Sequence, residues 1–261
     1  MADKSSKSQS DLLKPGEIIL SVRDLHKSYG PKVVHKGVSF DLLKGEILGL
    51  FGGSGTGKSV ILRSVIGLEK PDKGSILFES QDLATLLEEE LFEVRKKIGF
   101  VFQNGALFDS MTVEENLAYP LIEHTKMSHA EIRAAIAELL DLIGLQGSEK
   151  LLPASLSGGM QKRLGVARTI ILKPRIILYD EPTAGLDPSN TQRLLDLMVR
   201  VKKRERNTAI FVTHDIPSAF QVADRIAILY NGRIHTIDTA ENVKKSSDPF
   251  VEKFLSGEET L

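Results

Sequence analysis

The chain has 261 residues, of which 41% are hydrophobic and 26% charged, the balance of an ordinary globular protein, so collagen-like and disordered classes are excluded. Thirty-four Lys and Arg stand against 35 Asp and Glu, a formal net charge of −1 that argues against a chain-wide nucleic-acid footprint. There is no cysteine, which removes disulfides, zinc–thiolate sites and thiol nucleophiles.

Residues 1–16 are polar, lack the apolar stretch of a secretory signal, and read as a flexible tail. Short apolar runs follow at Ile18–Val22, Val38–Leu42 and Ile47–Phe51, the pattern of an antiparallel β layer leading into a buried strand. Ser59–Ile66 carries helical spacing, stopped by Gly67 and Pro71. From about Thr85 to Arg168 the pattern is mostly helical, broken by a strand at Ile98–Phe102. Within it, Ser128 and Glu131 form a capping box for a helix over His129–Ile143, and Gly144 fits its C-terminal cap. Strands at Ile176–Tyr179 and Thr208–Val212 then alternate with helices at Thr191–Arg206 and Pro217–Ala223. A hairpin, Arg225–Tyr230 and Arg233–Thr236, turns at Asn231-Gly232. Residues 247–261 read as a short helical extension, whose apolar positions Phe250, Val251, Phe254 and Leu255 share one face and are expected to dock on a partner protomer. The alternation predicts an α/β fold with a mostly parallel sheet. The longest apolar run, Ile226–Tyr230, is far short of the roughly 18–20 residues a membrane helix needs, so the expected compartment is the cytoplasm.

Gly52-Gly53-Ser54-Gly55-Thr56-Gly57-Lys58-Ser59 fits the phosphate-loop pattern, after an apolar strand and before a helix. Glycines let main-chain N–H groups face an anion, Lys58 supplies a point charge for the β and γ phosphates, and the Ser59 hydroxyl suits Mg²⁺. The strand at Ile176–Tyr179 ends in Asp180 and Glu181: the first can hold Mg²⁺ directly or through water, and the second can orient or deprotonate an attacking water. His214 and Gln103 each follow a strand; the histidine can donate to a γ-phosphate, and the amide can reach Mg²⁺ or water. Ser157 caps a helix running to about Leu172, and Gly158 and Gly159 expose its first N–H groups as a second anion site.

The hexapeptide Leu156-Ser157-Gly158-Gly159-Met160-Gln161, 23 positions before Asp180 when counted from Ser157, resembles the signature of ATP-binding cassette (ABC) ATPases. With it, Gly52–Ser59 resembles Walker A, Gln103 the Q-loop, Ile176–Glu181 Walker B with its catalytic glutamate, Ala184-Gly185-Leu186-Asp187 the D-loop, His214 the switch histidine, and Tyr29 the adenine-stacking aromatic. The D-loop departs mildly, with Ala-Gly where many members have Ser-Ala. The resemblance implies a RecA-like P-loop NTPase fold over 17–246, with a helical subdomain at about 104–168. It also implies ATP and Mg²⁺ as cofactors. In a head-to-tail homodimer Ser157, Gly158, Gly159 and Gln161 would then act in trans on the partner's ATP, and Asp187 would link the two sites.

Phe102–Val113, Asn116–Leu121, Glu123–Thr125 and Asp248–Gly257 are similar to the ATPases of Mla- and Mce-type lipid transporters. That narrower likeness implies an energising subunit for phospholipid or related hydrophobic-molecule transport across the cell envelope, with amino-acid or other small-solute import as the alternative. The implied partners are an integral membrane permease, an Mce-domain substrate-binding protein and a small STAS-like regulatory subunit, at the cytoplasmic face of the inner membrane. No nucleic acid is expected.

Overall fold

The structure, a computed structural model, describes residues 16–257; the expected tail therefore lies almost wholly outside the described residues, as do residues 258–261. Two sheets form the frame. β1 (Ile18–Tyr29) and β2 (Lys32–Leu43) make a long antiparallel hairpin, and the sheet order β2-β1-β4-β5 adds two strands that the sequence pattern did not suggest, β4 (Lys73–Phe78) and β5 (Gln81–Asp82). β3 (Ile47–Phe51) leaves this layer for the second sheet and is followed by α1 (Lys58–Val65). After β5, α2 (Glu88–Lys97) leads into β6 (Ile98–Val101).

Three helices follow: α3 (Val113–His124), α4 (His129–Ile143) and α5 (Gly158–Ile170), packed on one another. The anticipated capping box is present, with Ser128 Oγ accepting from Glu131 N at 3.3 Å and Glu131 Oε2 accepting from Ser128 N at 2.7 Å. Gly144 closes α4 at φ 66°, a left-handed conformation that glycine adopts without a Cβ clash. β7 (Ile176–Asp180), α6 (Pro188–Glu205), β8 (Thr208–Val212), α7 (Ile216–Val222), β9 (Arg225–Tyr230) and β10 (Arg233–Thr239) complete the main body, before α8 (Ala240–Lys244) and α9 (Pro249–Ser256). The helix expected from Thr191 starts three residues earlier, because Asp187 caps it and Pro188 occupies its first turn.

The second sheet runs β10-β9-β3-β8-β7-β6, with only the β9–β10 pair antiparallel. Its central strands are buried on both faces, and their alternation divides the core in two. Leu48, Leu50, Ile176, Leu178, Ile210 and Val212 face the antiparallel layer and α1. Ile47, Phe51, Ile177, Tyr179, Ala209 and Phe211 face the helices α5, α6, α7 and α9.

The apolar face of α9 belongs to this second core, which corrects the expectation that it docks on a partner. Val251 is 0% exposed and Phe254 7%, and the Phe254 ring lies 6.1 Å from that of Phe51. Asp248 caps the helix by accepting from Phe250 N at 2.8 Å, and also bonds His235 Nε2 on β10 at 3.0 Å. Covering Val251 and Phe254 within the chain's own domain yields about 1.5–3 kcal/mol per side chain, while Phe250 and Leu255 stay half-buried.

Candidate functional site

Every parallel strand of the second sheet ends at the same edge, and the loops that follow β3, β7 and β8 carry the residues of interest. The first is Gly52–Ser59. Its crest, Ser54 and Gly55, is exposed, and Thr56 Oγ1 donates to the Gly53 carbonyl at 2.8 Å to hold the turn. Gly57 caps α1 at φ 99°, and a Cβ there would collide with Val34 Cγ1 and His35 Nε2. Only glycine meets both the dihedral and the space.

Lys58 is 5% exposed and reaches back across the loop, its Nζ donating to the carbonyls of Gly52 and Gly53 at 2.8 Å each. Burial pushes its ammonium below the ordinary lysine value, while Glu181 and Asp180 pull it up. Ser59 Oγ donates to Asp180 Oδ1 at 2.7 Å, joining the loop to the end of β7. Asp180 is 8% exposed, and burial raises its pKa above the usual carboxylate value against the Ser59 hydrogen bond and the Arg63 charge, which lower it. Hydroxyl and carboxylate oxygens side by side are the hard donor set that Mg²⁺ prefers. Among the described residues no group of three or more His, Cys, Asp or Glu forms a metal cage.

Glu181 turns out of β7 at φ 48°, its N–H held by the Val212 carbonyl at 3.0 Å. A glutamate in the left-handed region is uncommon, and here the residue stands at the turn directly after the strand's last residue, Asp180. His214 Nδ1 lies 3.0 Å from Glu181 Oε2; a carboxylate only accepts, so the ring donates. The two residues come from loops after neighbouring parallel strands, with Asp180 registered opposite Val212. The structure therefore brings together Lys58, Ser59, Asp180, Glu181 and His214.

Gln103 lies just past β6 and is exposed; its backbone carbonyl accepts from Lys162 Nζ on α5. Among the described residues no hydrogen bond ties its amide to Ser59, Asp180 or Glu181. Tyr29, 45% exposed at the end of β1, stands with Lys27 Nζ 5.1 Å from its ring centroid. At the start of α5, Ser157 and Gly158 are exposed, Ser157 Oγ accepts from Met160 N at 3.4 Å, and a Cβ on Gly158 would meet open space. Gly159 instead abuts Asn190 of α6, where any side chain would clash. Gln161 donates to the carbonyls of Pro153 at 2.8 Å and Leu156 at 3.3 Å, so its amide is spent on the segment that leads into the helix. Asp187 is exposed and accepts from Asn190 N at 3.0 Å; these bonds hold its carboxyl below the ordinary value.

Sequence reasoning missed His35. It is 0% exposed on β2, and its Nε2 lies 3.1 Å from the Gly57 carbonyl, a prop behind the phosphate-loop turn. Nδ1 is buried with no hydrogen-bond partner, and burial lowers the ring's pKa against the Gly57 bond. No motif signals it.

The family description "ABC transporter" matches residues 35–184. The chain is 42% identical over 243 residues to a probable ribonucleotide transport ATP-binding protein mkl of Mycobacterium leprae, covering 93% of this chain and 70% of that one. It is 36% identical over 240 residues to the intermembrane phospholipid transport system ATP-binding protein MlaF of Haemophilus influenzae, covering 92% and 91%. Among solved structures it superposes on the ATP-binding cassette MJ0796, in a dimeric post-hydrolysis state bound to ADP and Pi, with a TM-score of 0.77 and 32% identity over 85% of this chain and 98% of that one. A phosphate loop, a hydrogen-bonded Ser–Asp pair and a Glu–His pair on one sheet edge, in a chain so matched, leave one assignment: it belongs to the ABC transporter family and is an ATP-hydrolysing, nucleotide-binding subunit.

Proposed function

We propose that this subunit powers the movement of phospholipid or a related hydrophobic molecule across the cell envelope through a separate membrane permease, from the cytoplasmic face of the inner membrane. The observation that carries the motor half of this reading is the convergence of Lys58, the Ser59–Asp180 pair and the Glu181–His214 pair at one sheet edge. Lys58 has three donors, two of them given to loop carbonyls, and directs the third at a phosphate oxygen. The N–H groups of 53–57 and the start of α1 receive the remaining phosphate charge. Ser59 and Asp180 are the residues that would hold Mg²⁺, and the ion would supply neutralisation of phosphate charge. Glu181 orients the attacking water and takes its proton, and the His214 hydrogen bond fixes the carboxylate for that task. Gln103 reads the γ-phosphate region and passes its state to α5, whose Lys162 donates to its backbone carbonyl. Tyr29 stacks on the base.

The exposed start of α5 serves the partner's site: Ser157 and Gly158 present open N–H groups to its ATP, while Gly159 and Gln161 set the helix in place. Asp187 bridges the two sites. The dimeric state of the MJ0796 cassette supports this homodimer. No helix among the described residues is long and apolar enough to cross a membrane, so the permease is assigned to another chain.

The cargo reading rests on the phospholipid-transport name of the MlaF relative and on the likeness at 102–125 and 248–257. An Mce-domain protein and a small STAS-like subunit complete the proposed assembly. The name of the more similar mycobacterial relative favours a second reading, ribonucleotide transport. Purification with the membrane partners and reconstitution into liposomes decides between them. ATP-dependent transfer of labelled phospholipid supports the first reading; ribonucleotide uptake without lipid transfer replaces it with the second.

A further inference from the structure

Phe51 ends β3 and directly precedes Gly52, the first residue of the phosphate loop. It is fully buried, and its ring meets two others: Phe220 at 6.2 Å with 39° between planes, and Phe254 at 6.1 Å with 51°. Phe220 lies on α7, which begins two residues after His214. Phe254 lies on α9, far along the chain from both. One ring cluster therefore backs the two loops that carry Lys58 and His214.

α7 has only seven residues, too few to hold a position by its own hydrogen bonds. One of its flanks opens onto a groove of about 620 Å³ lined by Ile216, Phe220 and Leu255, so its placement falls to its packed side. There Ala219 and Val222 sit in the same core as Phe51, Val251 and Phe254. α9 is itself well anchored: Asp248 caps it and bonds His235, and Phe250 packs at 4.3 Å on the His235 ring and 4.4 Å on Tyr230.

We infer that Phe254 is a positioning residue for ATP hydrolysis: α9 braces Phe51 from behind, Phe51 in turn packs on Phe220, and the phosphate loop and the His214 turn so keep their working relation. A densely packed core transmits a lost ring to its neighbours rather than absorbing it. This inference rests on the assignment of Gly52–Ser59 and His214 to the ATP site, and its test separates the two claims.

The test compares Phe254→Ala, Phe254→Met and Leu139→Ala with the wild-type chain in its transporter complex, well below each melting temperature. Leu139 lies in the same core but on α4, away from the ring cluster. Phe254→Ala is expected to lower kcat about tenfold and to weaken ATP binding about threefold, the order of loss a small misplacement of catalytic groups causes. Phe254→Met, which refills the space, restores kcat to within about twofold of wild type, while Leu139→Ala loses melting temperature and keeps its kcat. Unchanged kcat and affinity in Phe254→Ala, or an equal kcat loss in Leu139→Ala, overturns the inference. Should Phe254→Ala not fold, Phe254→Val serves in its place, with about a threefold loss of kcat expected and none overturning. A wild-type complex that hydrolyses no ATP overturns the site assignment, and this inference with it.

Discussion

Replacing Glu181 by Gln isolates the water-activating step from everything else the residue does. Its backbone contacts survive: the N–H to the Val212 carbonyl at 3.0 Å and the carbonyl to Ala184 N at 3.1 Å involve no side-chain atom. The side chain keeps its length, and an amide oxygen accepts from His214 Nδ1 as Oε2 does now at 3.0 Å. What is lost is the negative charge and the capacity to take a proton. A positioned general base contributes ~10²–10⁴-fold, or about 3–5 kcal/mol of barrier at ~1.4 kcal/mol per decade. ATP binding keeps its strength or gains, since a carboxylate near the phosphates is removed while Lys58 and the Ser59–Asp180 pair remain. Phosphate release by the complex should fall by at least a hundredfold, while a fluorescent-nucleotide titration finds affinity equal to wild type or tighter. A kcat within about tenfold of wild type would remove Glu181 from the role of base.

Two further outcomes follow from buried polar groups. Burial depresses the His35 pKa below its unfolded value of about 6.5, so its contribution to stability is present above that pH and is lost as pH falls through the folded value. His35→Gln should therefore lessen the drop in melting temperature below pH ~6.5, and an unaltered acid limb would show that His35 does not drive it. Asn116 is 0% exposed; it accepts from Phe108 N at 2.9 Å and donates to the carbonyls of Phe108, Met111 and Thr112 at 3.0–3.1 Å, pinning the segment after Gln103 to α3. Asn116→Ala leaves these groups unpaired and should cost about 2–4 kcal/mol in urea unfolding; a loss under about 1 kcal/mol would mean that water or rearrangement replaces the bonds.

The strands of the second sheet were legible because burial on both faces leaves short unbroken apolar runs: Ile47–Phe51 and Thr208–Val212 carry the expected bounds. Chemistry written in local spacing was legible too, as with the Ser128 capping box and the Asn231-Gly232 turn at φ 48° and 78°. β4 escaped notice because only Ile76 and Phe78 of its six residues are buried, with Leu77 turned out. β1 runs on to Tyr29, past an irregularity at Arg23–Asp24 where Asp24 takes φ 47° and interrupts the alternation. His35 was hidden by a similar device. Val38, Phe40 and Leu42 put even positions inward, but Gly37 at φ 98° shifts the register, so that an odd position faces in before it. The Glu181–His214 bond joins residues 33 apart through strand pairing, which no spacing rule encodes.

The composite site is tested most directly by mixing two crippled protomers, Lys58→Ala and Ser157→Arg, each inactive alone. A mixed dimer pairs one intact phosphate loop with one intact helix start and collects both defects in its other site. Random pairing of equal amounts makes half the dimers mixed, so turnover should return to about a quarter of wild type where the sites work independently. A mixture no more active than its two components would contradict the account.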